Sequence, residues 1–429
     1  MKKVLKLLIL LTAVLALFAC SKKEAASSNE IVQWSQFLDP TIPLYKLKKP
    51  VYDEYLKNNP MPMPFAQDTG PALYRERAQR YLLQGKSGYP DFLEGTLEQV
   101  YSYIAAGMAA PIEDLFNNDP DKDIFAKSLV DAFTIDGHMY AFPNVANVRL
   151  LIYRKDLLEK YNLQVPATWA DLVNVAKTIK EKEGINGFMF TTQTKEVRAF
   201  QEFMSFYYTL ADKIYEVKDG KATYVADKAN FAKVLQLYKD LFAVAIDPNS
   251  KGQDWKAVDY GITGGQVAMV TDGPWIWEHM TEDPARGTII SNLGVAPIPV
   301  PVAGQPSGTY MEVKGYVINP YSAEEKRQNV YNAVKMFVDK PFIELEVKYS
   351  SAPSIRSDIK SETEFGQAFS DNLDTGKVLE FINWDIPQNY IIDAIQSVIY
   401  ERATPEEAAN TLDKQLKDYE AQAVVQQEN

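Results

Sequence analysis

The stretch DGHMYAFPNVANVRLLIYRKDLLEKYNLQVPATW, residues 136–169, decides how the fold is read. It opens on an Asp-Gly turn, and its apolar run Leu150–Tyr153 predicts a strand that leads into a helix with Asp156 as N-cap. Between the turn and that strand lies the polar spacer NVANVR, 144–149. The spacer has two interpretations: a surface loop, or a crossover between two lobes with its side chains facing a cleft.

Strand and helix patterns alternate outward from this stretch. A short strand at 30–34, a helix at 72–84 and an extended segment at 89–92 are typical of a βαβ unit. The patterns Thr168-Trp169-Ala170-Asp171 and Thr404-Pro405-Glu406-Glu407 predict capped helix starts. The chain is therefore predicted to be an α/β protein.

Length and charge limit the kinds of protein to which the chain can belong. A chain of 429 residues is long enough for two or three domains. Its net charge is −12, and removing the first nineteen residues, with three Lys and no acid, makes it −15. An acidic body of this kind argues against nucleic acid as a partner and against a polybasic membrane contact.

The N-terminus has the features of an export signal. Three lysines precede an apolar run from Leu8 to Phe18, long enough for a signal peptide and short for a membrane span. The run ends at Cys20, as in the lipobox of bacterial lipoproteins. We therefore expect a signal peptide at 1–19, a lipid on Cys20 and a flexible tether at 20–30. Cys20 is the only cysteine, which excludes a disulfide within the chain and a cysteine metal cluster.

A search for catalytic or metal-binding patterns finds few. The two histidines, His138 and His279, stand in no metal-ligand spacing, and Gly264-Gly265 lacks the rest of a phosphate loop. Composition leaves a glycosidase-type pair of carboxylates open, although abundant acids usually form a solvated surface. We expect no metal, no cofactor and no catalysis.

Aromatic residues are abundant, with six Trp and twenty-five Tyr. A tryptophan has a flat apolar face and one N–H donor, which suits stacking on a sugar ring, but a single tryptophan more often packs in the core or at its rim than contacts a ligand. Trp169 is assigned to packing because it begins a helix. The tryptophans at predicted strand ends or loops are Trp34, Trp255, Trp275, Trp277 and Trp384.

Several segments together resemble a known family. The chain is similar, from about Tyr89 to Leu416, to the sugar-binding, maltose-binding-protein-like branch of the extracellular solute-binding proteins of ABC importers. The segments that carry the resemblance are DGHMYAFP...LLIYRKDLLEKYNLQVPATW (136–169), ITGGQVAMVTDGPWIW (262–277), LGVAPIP (293–299), GYVIN (315–319) and the tail VIYERATPEEAANTLDKQL.

The resemblance implies a two-lobed, type II periplasmic-binding-protein-like fold. Each lobe would be a β-sheet flanked by helices, and three crossovers would join the lobes around a ligand cleft. Lobe I would comprise 31–146 plus 299–347, and lobe II would comprise 147–298 plus 348–429.

The resemblance also implies a set of ligand-binding residues. Trp275 would stack on a pyranose face, and Asp272 would hydrogen-bond hydroxyl groups. Asn147 occupies a crossover position that is acidic in maltose-binding protein, a difference that weakens the expectation of a maltose-like ligand. The remaining expected ligand-binding residues are Trp34, Glu94, Glu312 and Trp384.

The resemblance implies that the protein binds a solute and catalyses no reaction. The protein would be an exported monomer, anchored by its lipid at the outer face of the cytoplasmic membrane, in the periplasm or at the cell surface. It would capture a sugar or oligosaccharide in the cleft and deliver it to the permease subunits of an ABC transporter. The alternatives are a secreted carbohydrate-active enzyme and a binding lipoprotein for a non-sugar solute or with a sensor or adhesin role.

Overall fold

The structure, a computed structural model, describes residues 30–34, 43–60, 63, 90–125, 127–218, 221–277, 289, 291–322, 324–350 and 354–419. The expected signal peptide, Cys20, the tether before Glu30 and the predicted helix at 72–84 lie outside these residues. In the described part of the chain, no helix is both long and apolar enough to cross a membrane.

Helices and strands alternate along the described chain, as expected for an α/β protein. The strands are β1 (Gln33–Trp34), β2 (Phe92–Thr96), β3 (Thr134–Ile135), β4 (His138–Met139), β5 (Ala141–Val148), β6 (Leu150–Arg154), β7 (Tyr215–Lys218), β8 (Lys221–Tyr224), β9 (Met269–Asp272), β10 (Leu293–Ala296), β11 (Thr309–Ile318) and β12 (Gly376–Lys377). The helices are α1 (Pro43–Asn58), α2 (Leu97–Ala105), α3 (Glu113–Asn117), α4 (Lys127–Ala132), α5 (Lys155–Lys160), α6 (Trp169–Glu183), α7 (Val197–Tyr207), α8 (Lys228–Ala245), α9 (Trp255–Thr263), α10 (Glu324–Met336), α11 (Lys340–Ser350), α12 (Glu364–Asp371), α13 (Pro387–Ile399) and α14 (Pro405–Asp418). Short 3-10 turns lie at Lys122–Ile124 and Leu373–Thr375.

The first lobe is organised around β11. This strand pairs antiparallel with β2 on one side and with β5 on the other, while β1 runs parallel to β2. Nearly every residue of β11 is buried, because α2, α7 and α10 pack against it. A strand covered on both faces favours the apolar and aromatic residues that β11 contains.

The second lobe is organised around β6. This strand pairs antiparallel with β9 and with β10, and a parallel bridge from Met189 to Val270 extends the sheet. The amphipathic helix α8 packs against α6, α13 and α14 and buries its apolar face in the core of this lobe. The two sheets, each with its helices, give the two-lobed α/β fold expected from the sequence.

The chain crosses between the lobes at three places. The first crossing is a single residue, Arg149, between β5 and β6. The second runs from β10 to β11, and the third lies between α11, which packs on α1, and α12, which packs on β10. Strand β12 then pairs with Thr309 and Tyr310 at the start of β11. A side chain at Gly376 would place its Cβ 2.8 Å from Val148, so glycine permits this close approach.

Of the two interpretations of the spacer 144–149, the surface loop is wrong, whereas the crossover agrees with the first crossing at Arg149. β5 continues through Val148, with a register shift against β11 at Lys314 and Gly315. Its burial alternates, with Ala146 and Val148 buried and Asn147 partly exposed. Asn147 therefore lies on the partly exposed side of a strand, Asn144 is buried, and only Arg149 separates the strands of the two sheets. The lobe boundaries given above stay predictions.

Two of the predicted helix starts are capped as expected, and one predicted N-cap is not found. The capping boxes at Thr168 with Asp171 and at Thr404 with Glu407 are both present. Asp156 is wrong as an N-cap, because α5 already begins at Lys155 and the Asp156 carboxylate accepts two hydrogen bonds from the Arg154 guanidinium, at 2.6 and 2.7 Å.

Candidate ligand-binding site

Trp275 lies in the turn that follows β9. A Cβ added at Gly273 would lie 2.2 Å from Cζ3 of Trp275, so the indole lies directly over Gly273. The backbone N–H of Trp277 donates to the carbonyl of Pro274 at 3.0 Å, which closes the turn. The Asp-Gly-Pro-Trp sequence thus fixes a partly exposed aromatic ring at the end of a buried strand.

Asp272, immediately before this turn, takes part in a buried ion network. Its Oδ1 accepts from Nη2 of Arg198 at 2.7 Å and from the Gly273 N–H at 2.8 Å, and Nη1 of Arg149 lies 3.4 Å away. Asp259 pairs with Nη1 of the same Arg198. Burial raises the pKa of Asp272 well above its usual value, although Arg198 and Arg149 favour the charged form.

The arginines of this network also contact the indole. The guanidinium carbon of Arg149 lies 4.9 Å from the centroid of the Trp275 ring, and that of Arg198 lies 5.4 Å from it. Such cation–π contacts are attractive, more so when desolvated. We call Arg149, Arg198, Asp272 and Trp275 the second-lobe wall.

Two predicted site residues are paired on the first sheet, and a third lies on another strand of that sheet. Asn147 on β5 lies directly opposite Glu312 on β11, and Glu94 on β2 lies opposite Tyr316 of the same β11. Asn144 donates from Nδ2 to Oε1 of Glu94 at 2.6 Å. We call Glu94, Asn147 and Glu312 the first-lobe wall.

Two further residues stand beside this wall. Lys314 lies 3.2 Å from Oε1 of Glu312 and balances part of the acidic charge. Trp34 ends β1, and its backbone pairs with Leu93, next to Glu94. That these residues and the two walls contact a ligand stays a prediction.

Gln201 on α7 joins the two walls. Its Oε1 accepts from Nη2 of Arg149, and its Nε2 lies 3.4 Å from both the Tyr310 hydroxyl and Oε2 of Glu312. The Tyr310 hydroxyl in turn donates to Oε1 of Glu98 at 2.9 Å. One chain of polar contacts therefore runs from the aromatic ring of one lobe to the acids of the other.

Glu202 extends the second-lobe network away from the walls. Its carboxylate accepts from the backbone N–H of Thr191 at 2.7 Å and from the Thr191 hydroxyl at 2.9 Å. Burial raises the pKa of Glu202 to about 7, and the nearby Arg198 and Arg149 oppose this shift. Glu202 thus titrates near neutral pH inside the protein.

The prediction for Trp384 is wrong. This residue is 1% exposed and lies in the core of the second lobe, with its ring centroid 5.5 Å from that of Phe200 and 6.0 Å from that of Tyr215. Its Nε1 donates to the carbonyl of Glu380 at 3.0 Å. Both its faces and its only donor are engaged by the protein, which removes it from the candidate site.

The sequence reading missed Arg149, Arg198 and Gln201. A signal for two of them existed in α7, where Arg198, Gln201 and Glu202 share one face at helical spacing among aromatic neighbours. Charged and amide groups on a buried face need polar partners, so such a face points to a polar network. Arg149 had a weaker signal, as a charge placed directly before the buried strand β6.

Comparison with known proteins now places the chain in a family. Residues 71–331, more than half of the chain, match the family model described as bacterial extracellular solute-binding protein. A binding protein of Brucella abortus is 27% identical over 210 residues, covering 48% of this chain and 49% of that protein. An ABC transporter extracellular-binding protein of Pyrococcus horikoshii is 26% identical over 216 residues, covering 49% and 48%. The chain thus aligns with about half the length of these curated relatives.

Solved structures agree on the fold. The maltose-bound MalE3 of T. maritima superimposes with a TM-score of 0.74 at 20% identity, over 90% of this chain and 98% of that one. A solute-binding protein from Thermotoga lettingae bound with alpha-D-tagatose gives 0.73 at 20% identity, over 91% and 99%. At such low identity these likenesses show the fold alone. With the family match, they lead to one conclusion: this chain belongs to the bacterial extracellular solute-binding proteins.

Proposed function

We propose that this protein captures a sugar or oligosaccharide between its lobes and delivers it to the permease of an ABC importer. The observation that carries the proposal is the polar chain that links the two walls. Gln201 contacts Arg149, which lies 4.9 Å from the Trp275 ring, and it also lies 3.4 Å from Glu312 of the opposite lobe. An aromatic ring and hydrogen-bonding side chains from both lobes thus lie within reach of one ligand.

This combination suits a sugar better than other small solutes. A pyranose presents a face of C–H groups, which stacks on an indole, and a rim of hydroxyls, which both donate and accept hydrogen bonds. Related proteins add support. A Bacillus subtilis protein 22% identical over 260 residues, 59% of this chain and 58% of its own length, is named a galactooligosaccharide-binding protein. The structural neighbours named above were solved with maltose and with tagatose.

Binding would act by shifting a conformational population. A ligand that contacts both walls favours the closed arrangement of the lobes, because only that arrangement makes both sets of contacts. The closed protein would then dock on the permease. This role needs no catalytic group, and we propose none.

We also propose that the protein is exported and carries a lipid on Cys20. A lipid anchor at the outer face of the cytoplasmic membrane would raise the effective concentration of the protein at its permease. We expect Cys20→Ser to move the protein from the membrane fraction to the soluble exported fraction. Retention of that variant in the membrane fraction would argue against the anchor.

The test of the function is a thermal-shift screen against a panel of neutral saccharides. A specific ligand at about 100 times its Kd adds about 2.7 kcal/mol to the stability of the folded state, a readily measured rise in Tm. Trp275→Ala should abolish the rise, whereas Trp169→Ala, a matched tryptophan outside both walls, should keep it. If no saccharide raises Tm, the sugar assignment fails. If the saccharide is converted to product, the protein is an enzyme.

A further inference from the structure

Two buried N–H donors of the second-lobe wall have no acceptor among the residues that the structure describes. They are Nε of Arg149 and Nε1 of Trp275. Arg149 is 2% exposed, and its guanidinium carbon lies 4.9 Å from the Trp275 ring centroid. Buried donors nearly always find an acceptor, so two unpaired donors on neighbouring side chains indicate an acceptor outside the described residues.

The rest of the Arg149 guanidinium is fixed by protein partners. Nη1 faces Oδ1 of Asp272 at 3.4 Å, and Nη2 donates to Oε1 of Gln201. These contacts hold the planar group in one orientation, which leaves the Nε edge as the side not used by the described residues. The indole N–H of Trp275 is fixed likewise, because the ring lies over Gly273.

We propose that Nε of Arg149 and Nε1 of Trp275 form a two-donor subsite for an oxygen of the sugar unit bound at Trp275. Arg149 is then a specificity-determining residue of the cleft. This inference rests on the proposed function and extends it. The acceptor is an uncharged hydroxyl or ring oxygen of a neutral sugar, or a carboxylate oxygen of a uronic acid, and both present the same lone pairs.

The charges around the subsite exclude one class of ligand. A protonated amine at this position would find no acceptor, because Nε of Arg149 and Nε1 of Trp275 are both N–H donors. It would also face the positive charge of Arg149. An amino sugar should therefore bind worse than its neutral counterpart.

The first experiment is titration calorimetry with galactobiose and maltose as neutral probes, digalacturonate as the acidic probe and the dimer of glucosamine as the cationic probe. Arg149→Met, which keeps the alkyl stem, should weaken binding of the preferred probe about tenfold to a hundredfold, since a hydrogen bond from a charged donor is lost. Arg154→Met removes an arginine of the same lobe that pairs with Asp156 outside the walls, and should leave affinity unchanged.

A second measurement needs no variant at Arg149. With 15N-labelled tryptophan, the indole N–H signal of Trp275, assigned by its loss in Trp275→Phe, should shift and exchange more slowly with solvent when the sugar saturates the protein. Trp169 provides the matched control, because its Nε1 is also buried without an acceptor among the described residues but lies outside the walls. Its signal should not move.

The possible results distinguish the two-donor subsite from the proposed sugar-binding function. A sugar that binds while the Trp275 signal stays still, or that binds Arg149→Met as tightly as the unmodified protein, overturns the subsite and leaves the sugar-binding function standing. Strongest binding of the glucosamine dimer also overturns it. Binding of digalacturonate that weakens with salt assigns the carboxylate, and binding of a neutral probe assigns the hydroxyl. If no sugar binds at all, the proposed function fails and the subsite falls with it.

Discussion

The two walls of the candidate site hold their polar side chains in different ways. The first-lobe wall takes Asn147 and Glu312 from adjacent strands, so the register of β5 against β11 sets their positions. The second-lobe wall takes Asp272, Arg149 and Arg198 from separate segments and holds them by buried ion pairs. A sheet register survives the loss of one side chain. A buried ion network is more fragile, because its remaining members stay charged in a dry environment.

The largest effect should come from breaking that network. We expect Asp272→Ala to lower the free energy of unfolding by about 3–5 kcal/mol, because it leaves buried charge uncompensated. Urea denaturation measures this change. Asp156→Ala is the control, since its pair with Arg154 is partly exposed and such pairs contribute about 0–1 kcal/mol. Equal losses of stability in the two variants would contradict the expectation that the buried network is more sensitive than a partly exposed ion pair.

A change at Gly273 should affect binding more than stability. A Cβ there would meet the Trp275 ring at 2.2 Å, so the ring must move, while the backbone can remain. We expect Gly273→Ala to weaken sugar binding by about tenfold or more, a free-energy change of at least about 1.4 kcal/mol. Calorimetry with the sugar found in the screen measures it. In the Trp275→Ala background, where the ring is absent, Gly273→Ala should leave the free energy of unfolding unchanged, and a loss there would show that Gly273 acts by another route.

Glu202 should make the stability of the second lobe depend on pH. Its pKa in the folded protein is about 7, raised from 4.5 by burial, so between these values the folded state keeps a proton that the unfolded chain releases. The contribution of Glu202 to the free energy of unfolding therefore falls as pH rises through this range and levels off above it. Glu202→Gln lacks this pH dependence. As pH rises from 5 to 7, the unmodified protein should therefore lose stability relative to this variant.

Urea denaturation of both proteins from pH 5 to pH 8 measures the difference. Glu181→Gln, at an exposed position of α6, should follow the unmodified protein across the series. A constant difference between the unmodified protein and Glu202→Gln would contradict the raised pKa.

The smallest effect should come from the first-lobe wall. Glu312→Gln keeps a side-chain oxygen beside Gln201 and removes only the charge next to Lys314, which is partly exposed. We expect a smaller change in the free energy of unfolding than for Asp272→Ala, because the amide still accepts from Gln201 and the Lys314 ammonium keeps some contact with water. Binding of the sugar should weaken less than in Gly273→Ala. A loss of stability as large as that of Asp272→Ala would show that both walls depend on buried charge.

Sequence reasoning found the residues of one wall better than those of the other. Glu94, Asn147 and Glu312 were chosen one by one from a family resemblance, and the strand register then brought Asn147 and Glu312 opposite each other. Trp275 was found because the Gly-Pro turn before it is a local feature. These are signals that a short stretch of chain contains in full.

The ion network could not be read in this way. Arg198 meets Asp272 across 74 positions of sequence, and Arg149 meets it across 123, so their pairing exists only in the folded chain. Trp384 failed for a different reason, since it was assigned to a predicted strand end or loop although its indole is buried. The surface-loop interpretation of the spacer 144–149 was wrong because polar residues within a strand resemble a loop until the partner strand is known.

The position of Arg149 has a consequence for the order of events during capture. Its backbone N–H donates to the Tyr310 carbonyl at 3.1 Å and its carbonyl accepts from the Thr309 hydroxyl at 2.6 Å, so the first crossing is tied to the start of β11. If the lobes turn at this crossing, Arg149, Asp272 and Trp275 would stay together, because they belong to one network. An open protein would then present the second-lobe wall already ordered, and its side chains would lose little entropy on binding. A ligand would bind first to the second-lobe wall, and the first-lobe wall would contact it when the lobes close.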